Sequence, residues 1–128
     1  MSLRPGLTAT VTLLVTEADT APALGTGDVP VLATPRIVLL AERATVRAIE
    51  GEIPADHTTV GYRIQLDHLA PVAIGEEVIA EATLESIAGR RLTFRVSVKR
   101  RADLVAAGRV TRVVVDRERF LSKVTGTG

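Results

Sequence analysis

Four residues of this 128-residue chain could do chemistry by type and place: Thr34, Glu42, Gly61 and His68. Glu42 lies in the stretch TPRIVLLAERATVRAIEG, residues 34–51. At roughly 100° per residue, Arg36, Arg43, Arg47 and Glu50 fall in one narrow polar sector of a helix. Ile37, Val38, Leu39, Leu40, Ala41, Ala44, Val46, Ala48 and Ile49 cover nearly all the rest. Glu42 stands inside that apolar arc, so it is paired with a cation, raised in pKa, or used. His68 ends an alternating stretch in which it shares a face with Val60, Tyr62, Ile64 and Leu66. Gly61 interrupts the same stretch, which marks either a bulge or a close backbone approach. Thr34 stands just before Pro35, where a threonine caps a helix and a proline suits its first position.

These residues need a helix, a strand and a frame to hold them. The helix spans residues 34–51, with Gly51 as its left-handed closing residue. An arc so widely apolar predicts a helix wrapped by other elements. Residues 7–15 (LTATVTLLV) read as a first strand. Residues 16–30, rich in Gly, Pro, Ala and Thr, read as a long loop, a length typical of lids and binding segments. Alternation then predicts strands over residues 59–70, 78–85, 92–99 and 108–115. A tight turn falls at Ala88-Gly89-Arg90 and a second connection at residues 101–107. Asp116 caps a short helical tail, and residues 125–128 read as frayed. One domain, residues 1–128, follows: an α+β fold in which an antiparallel sheet wraps one long central helix.

Composition removes several classes of function. Tyr62, Phe94 and Phe120 are the only aromatics, so the core is aliphatic. No cysteine is present, which excludes thiol catalysis, disulfides and cysteine-bound zinc. His57 and His68 are the only histidines and lack metal-ligand spacing, so no metal is expected, and His57 reads as an exposed bystander. The net charge of +1 implies no nucleic-acid or membrane partner. No signal peptide or membrane span is read in the chain, and the expected location is cytoplasmic.

Three stretches, ATPRIVLLAERATVRAI, VGYRIQLDHLAPVAIGEEV and LESIAGRRLTFRVSV, are similar to the fluoroacetyl-CoA thioesterase family, whose fold is the hot-dog fold. That family has a Thr at the helix start, a Glu eight residues later, and a His ending the next strand with a Gly seven residues before it. Thr34, Glu42, His68 and Gly61 keep those spacings. The resemblance covers residues 33–124 and implies an acyl-CoA thioesterase with water as co-substrate and coenzyme A only as part of the substrate. It also implies a homodimer or higher homo-oligomer with sites near the subunit boundary. In that reading Glu42 is the nucleophile toward the thioester carbonyl or the general base for water. His68 is general acid/base or a donor to developing charge. Thr34 presents its hydroxyl to the site, and Gly61 lets the acyl-thioester approach the backbone.

Arg90 and Arg91, in the turn that matches the family's Gly-Arg-Arg, are the basic pair expected to take coenzyme A phosphates, ahead of Arg63, Lys99, Arg100 and Arg101. One departure bears on substrate. The fluoroacetyl-CoA enzyme carries phenylalanines in a lid before the helix, whereas this chain has GTGDVPVLAT with no aromatic. A different small or medium acyl group is therefore expected. The alternatives are a hydratase or dehydratase of acyl-thioesters, for which no Asn-Pro-x-His stretch is present, and a non-catalytic acyl-CoA binding module.

Overall fold

The computed structural model describes residues 2–126. Five antiparallel strands form one sheet in the order β1-β3-β4-β5-β2. They are β1 (Thr8–Leu14), β2 (His57–His68), β3 (Glu77–Ala88), β4 (Arg91–Arg100) and β5 (Asp103–Asp116). A short helix α1 (Ala21–Leu24) and the long helix α2 (Thr34–Ala48) lie between β1 and β2, and α3 (Arg117–Thr125) follows β5. The sheet curls around α2, as the hot-dog fold requires. No helix among the described residues is long and apolar enough to cross a membrane.

Alternation explains the packing. Val78, Ala80, Ala82 and Leu84 of β3 and Leu92, Phe94, Val96 and Val98 of β4 are all buried on the face toward α2. Small residues on both layers, Ala41 and Ala44 of the helix with Ala80 and Ala82 of the strand, let α2 lie close to the sheet. Phe94 is the one buried aromatic, while Tyr62 and Phe120 stay exposed. Asp116 caps α3 as expected, its carboxylate accepting from the Arg119 amide at 3.0 Å. Thr125 belongs to that helix and is not frayed; residues 127–128 lie outside the described residues.

Several expectations change. The helix is not wrapped all round: Leu39 is 39% and Val46 48% exposed. Helix α2 packs chiefly on β1 and β3, and the stripe Leu39–Glu42–Val46 faces the gap between the two edge strands. Strand β5 starts at Asp103, so the expected connection at 101–107 shrinks to the two-residue turn Arg101–Ala102, with Arg101 at φ 56°. Ala106, Ala107 and Gly108 have weak strand propensity, but each pairs with both β4 and β2, and pairing on two sides overrides propensity. Gly51 is left-handed (φ 79°) but stands two residues past the helix cap at Ile49.

The loop before α2 holds one 3-10 turn (Glu17–Asp19) as well as α1. Its base is clamped. Asp19 is buried, accepts from the Thr16 amide at 2.8 Å and from Arg36 Nε at 2.7 Å, and its carbonyl accepts from the Ala33 amide at 2.9 Å. Burial pushes the Asp19 carboxyl pKa up, but the hydrogen bonds from Thr16 and Arg36 and the Arg36 charge outweigh it and hold the value below the ordinary 3.8. A lowered folded-state pKa stabilises fully above the unfolded value and is lost as pH falls through the folded one. Asp19→Asn should therefore melt lower than the parent at pH 7, and the gap should narrow below pH 3.8, which paired thermal melts would read.

Gly108 marks the tightest strand contact: a Cβ there would overlap the Gln65 carbonyl of the neighbouring strand. Gly108→Ala must push β5 and β2 apart and should destabilise by about 2–3 kcal/mol, measurable by urea unfolding.

Candidate active site

Helix α2 begins one residue earlier than expected. The N-cap is Ala33, which offers no side-chain bond, and Thr34 is the first helical residue, so Thr34 is not the cap. Its hydroxyl turns instead to strand β2 and meets His68 Nδ1 at 2.8 Å. The other ring nitrogen, His68 Nε2, is buried and has no partner among the described residues. If Thr34 accepts from Nδ1–H, Nε2 is a free base; if Thr34 donates, Nε2–H is a free donor. Either way the threonine sets the ring's tautomer and aim.

Two turns along α2, Glu42 meets β5 rather than His68. Arg112 NH1 donates to Glu42 Oε2 at 3.1 Å. The rest of that guanidinium is also held, Nε donating to Thr59 Oγ1 at 2.9 Å and NH2 to the Thr59 carbonyl at 3.2 Å. Arg112 is 7% exposed. Burial pulls its pKa below the usual value, and the charge and hydrogen bond of Glu42 oppose that pull. An arginine keeps its proton under such a shift. The Glu42 side chain is 35% exposed, and among the described residues only its Oε2 receives a hydrogen bond, which leaves Oε1 unengaged. The carboxylate is both oriented and reachable.

Gly61 brings strand β2 against this carboxylate. A Cβ at Gly61 would stand 2.7 Å from Glu42 Oε2 and 3.9 Å from Arg112 NH1. The strand also bulges here: Gly61 pairs with Arg112 and Arg63 with Thr111, which leaves Tyr62 as the extra residue. That bulge corrects the expected face. Ile64, Leu66 and His68 point to the helix, but Val60 and Tyr62 point to the opposite face, because one inserted residue shifts the alternation. Tyr62 lies under Arg91, whose guanidinium is 4.7 Å from the ring centroid.

An open cavity of about 1050 Å³ adjoins Glu42, Thr59 and Arg112, with Leu39, Val46 and Ile53 as apolar wall. Thr34 and His68 do not line it. Arg90 and Arg91 do not either: Arg91 faces away from the helix on Tyr62, and Arg90 is exposed beside the turn at Gly89. His57 lines the cavity and bonds Asp56 at 2.8 Å, a closer place to the site than a bystander would hold. Arg112 and Thr59 were not singled out by sequence. A signal existed: in GRVTRVVV, Arg112 shares parity with buried Val110, a cation on an apolar face to match the anion on an apolar helix arc.

Gly61→Ala should lower turnover at least tenfold while leaving the melting temperature nearly unchanged, since the clash falls on a side-chain carboxylate rather than on backbone. Steady-state rates and thermal melts on one preparation would check both halves.

Residues 15–118 match the family described as Fluoroacetyl-CoA-specific thioesterase. The chain is 36% identical over 94 residues to the fluoroacetyl-CoA thioesterase of Streptantibioticus cattleyicolor, 73% of this chain and 68% of that one. The solved fluoroacetyl-CoA thioesterase FlK superposes with a TM-score of 0.89 at 30% identity, over 100% of this chain and 99% of FlK. A thioesterase superfamily member from Thermus thermophilus gives a TM-score of 0.89 at 26% identity, over 95% and 90% of the two chains. A hot-dog-like protein from Thermanaerovibrio acidaminovorans shares the fold at 21% identity, with a TM-score of 0.87 over 97% and 92%.

Proposed function

This chain belongs to the fluoroacetyl-CoA-specific thioesterase family, and on that premise we propose that it hydrolyses acyl-CoA thioesters of small or medium acyl chain without selectivity for the fluoroacetyl group. The observation that carries the reading is Glu42: a carboxylate fixed by buried Arg112, with one oxygen unengaged, on the wall of an apolar cavity. A group so held attacks a thioester carbonyl, or takes a proton from the attacking water, without first reorganising. In the first case the acyl group passes to the Glu42 oxygen as an anhydride, the thiolate leaves, and water then cleaves the anhydride. In the second, water adds directly and Glu42 takes its proton. His68, aimed by Thr34, supplies a proton to the leaving thiolate or a hydrogen bond to the carbonyl oxygen.

The relaxed acyl selectivity rests on the segment before α2, where residues 16–33 contain no aromatic side chain. The edge strand supports a homodimer or higher homo-oligomer as part of this reading: β2 runs twelve residues, ends the sheet and has no strand on its outer edge among the described residues. A second copy pairing along that edge also brings its surface near the open Leu39–Val46 stripe.

Free-thiol release from acyl-CoAs running from acetyl to palmitoyl, with an aryl thioester added, tests the reading. Turnover should peak at short or medium chains, and Glu42→Gln should lower kcat at least a hundredfold with the fold retained. Full activity in Glu42→Gln would remove the assignment, and a folded parent that binds acyl-CoA without turnover would make the protein a binding module.

A further inference from the structure

The cavity beside Glu42 has a charged mouth that the proposed hydrolysis does not use. Arg43 and Arg47 stand on it from α2, and Arg117 stands on it from the start of α3 across the gap. The other cavity-lining arginine, Arg112, is neutralised by Glu42. Arg4, Arg36, Arg95, Arg100 and Arg109 also each face a carboxylate. Arg43, Arg47 and Arg117 have no carboxylate within ion-pair distance among the described residues. Glu50 is also on the rim, but it pairs with none of them, so three positive charges stand against one negative.

Stability does not account for this arrangement. Arg43 and Arg47 are one helical turn apart on α2, a like-charge spacing that destabilises a helix slightly. Two of the three are oriented without being neutralised. Arg117 NH2 donates to the His57 carbonyl at 3.3 Å, and Arg47 NH1 reaches the Thr10 carbonyl at 3.5 Å. Each keeps further N–H donors for an incoming oxyanion, which arginine binds through paired hydrogen bonds. Apolar walls behind them, Leu39, Val46 and Ile53, strengthen the field at the mouth.

We infer that Arg43, Arg47 and Arg117 form an oxyanion site at the mouth of the Glu42 cavity that holds the negatively charged end of the substrate. The inference rests on Glu42 being the reacting carboxylate. The anion is a phosphate of coenzyme A, if the thiol arm leaves through this mouth, or a carboxylate ending the acyl chain, if the acyl group lies there. The shared chemistry is an oxyanion a short chain away from the thioester.

The test is the triple variant Arg43→Gln, Arg47→Gln, Arg117→Gln against the parent on butyryl-CoA, butyryl-pantetheine and succinyl-pantetheine. KM should rise roughly tenfold or more for an anionic substrate, with kcat kept and butyryl-pantetheine unaffected. A rise confined to butyryl-CoA assigns the site to phosphate, and a rise on succinyl-pantetheine assigns it to an acyl carboxylate. Raised salt should reproduce part of the variant's loss in the parent and leave the variant flat. Unchanged KM for both anionic substrates, or an equal rise for neutral butyryl-pantetheine, overturns the inference. If the parent hydrolyses none of the three, the thioesterase reading fails on its own. Calorimetric titration of coenzyme A and of succinate into parent and variant then decides the oxyanion site, which is overturned if neither binds the parent more tightly. The double variant Arg43→Gln, Arg117→Gln carries the same test should the triple variant fail to fold.

Discussion

The ion pair between Glu42 and Arg112 is the constraint on which the site depends. The Arg112 guanidinium leaves bulk water at a junction of helix and sheet while Glu42 stays partly exposed, and burying that charge is costly unless it is met by good hydrogen bonds. Arg112 meets that condition by spending its remaining donors on Thr59, the side chain through one nitrogen and the backbone carbonyl through another. The guanidinium is thereby locked, and it in turn locks the carboxylate. Gly61 completes the arrangement by contributing nothing but space, since a Cβ there would stand 2.7 Å from Glu42 Oε2. One helix and two strands are thus tied at a single carboxylate, which remains open on its other oxygen.

A second ion pair governs the N-terminal end of the same helix. Arg36 reaches back to buried Asp19, which also gathers Thr16 and receives the Ala33 amide on its carbonyl. This knot closes the base of the segment that precedes α2 and sets where the helix starts. Because Ala33 rather than Thr34 is the cap, the Thr34 hydroxyl is free to aim His68. The site therefore has two stations on one helix, an imidazole held at its N-terminus and a carboxylate held two turns further on.

The open stripe of α2 links these stations to the surface. A sheet of five strands curls far enough to bury Ala41, Ala44 and Ala48 but leaves Leu39 and Val46 between its edges. Apolar exposure beside a polar reactive group is the usual character of a site that takes an acyl chain. The same gap admits charge at its rim, where arginines arrive from two different helices.

Much of this was legible in the chain. The long helix could be read from its apolar arc, and the hairpins from alternation and the Gly89 turn. Glu42, Gly61 and His68 stood out because a polar group or a glycine interrupted an apolar pattern, and Thr34 because it precedes Pro35 at a helix start, all at family spacing. What could not be read was register. The bulge at Tyr62 turns Val60 and Tyr62 away from the helix, and alternation along one strand carries no record of a residue inserted against its neighbour. The early start of β5 is similar, since Ala106, Ala107 and Gly108 are strand residues only because β4 and β2 pair with them on both sides. Arg112 became Glu42's partner for the same reason. Periodicity is a local property of one segment and is set by the residues themselves. Which cation meets which anion, and which side of a strand faces the helix, is decided only when separate segments pair, so tertiary structure alone could assign them.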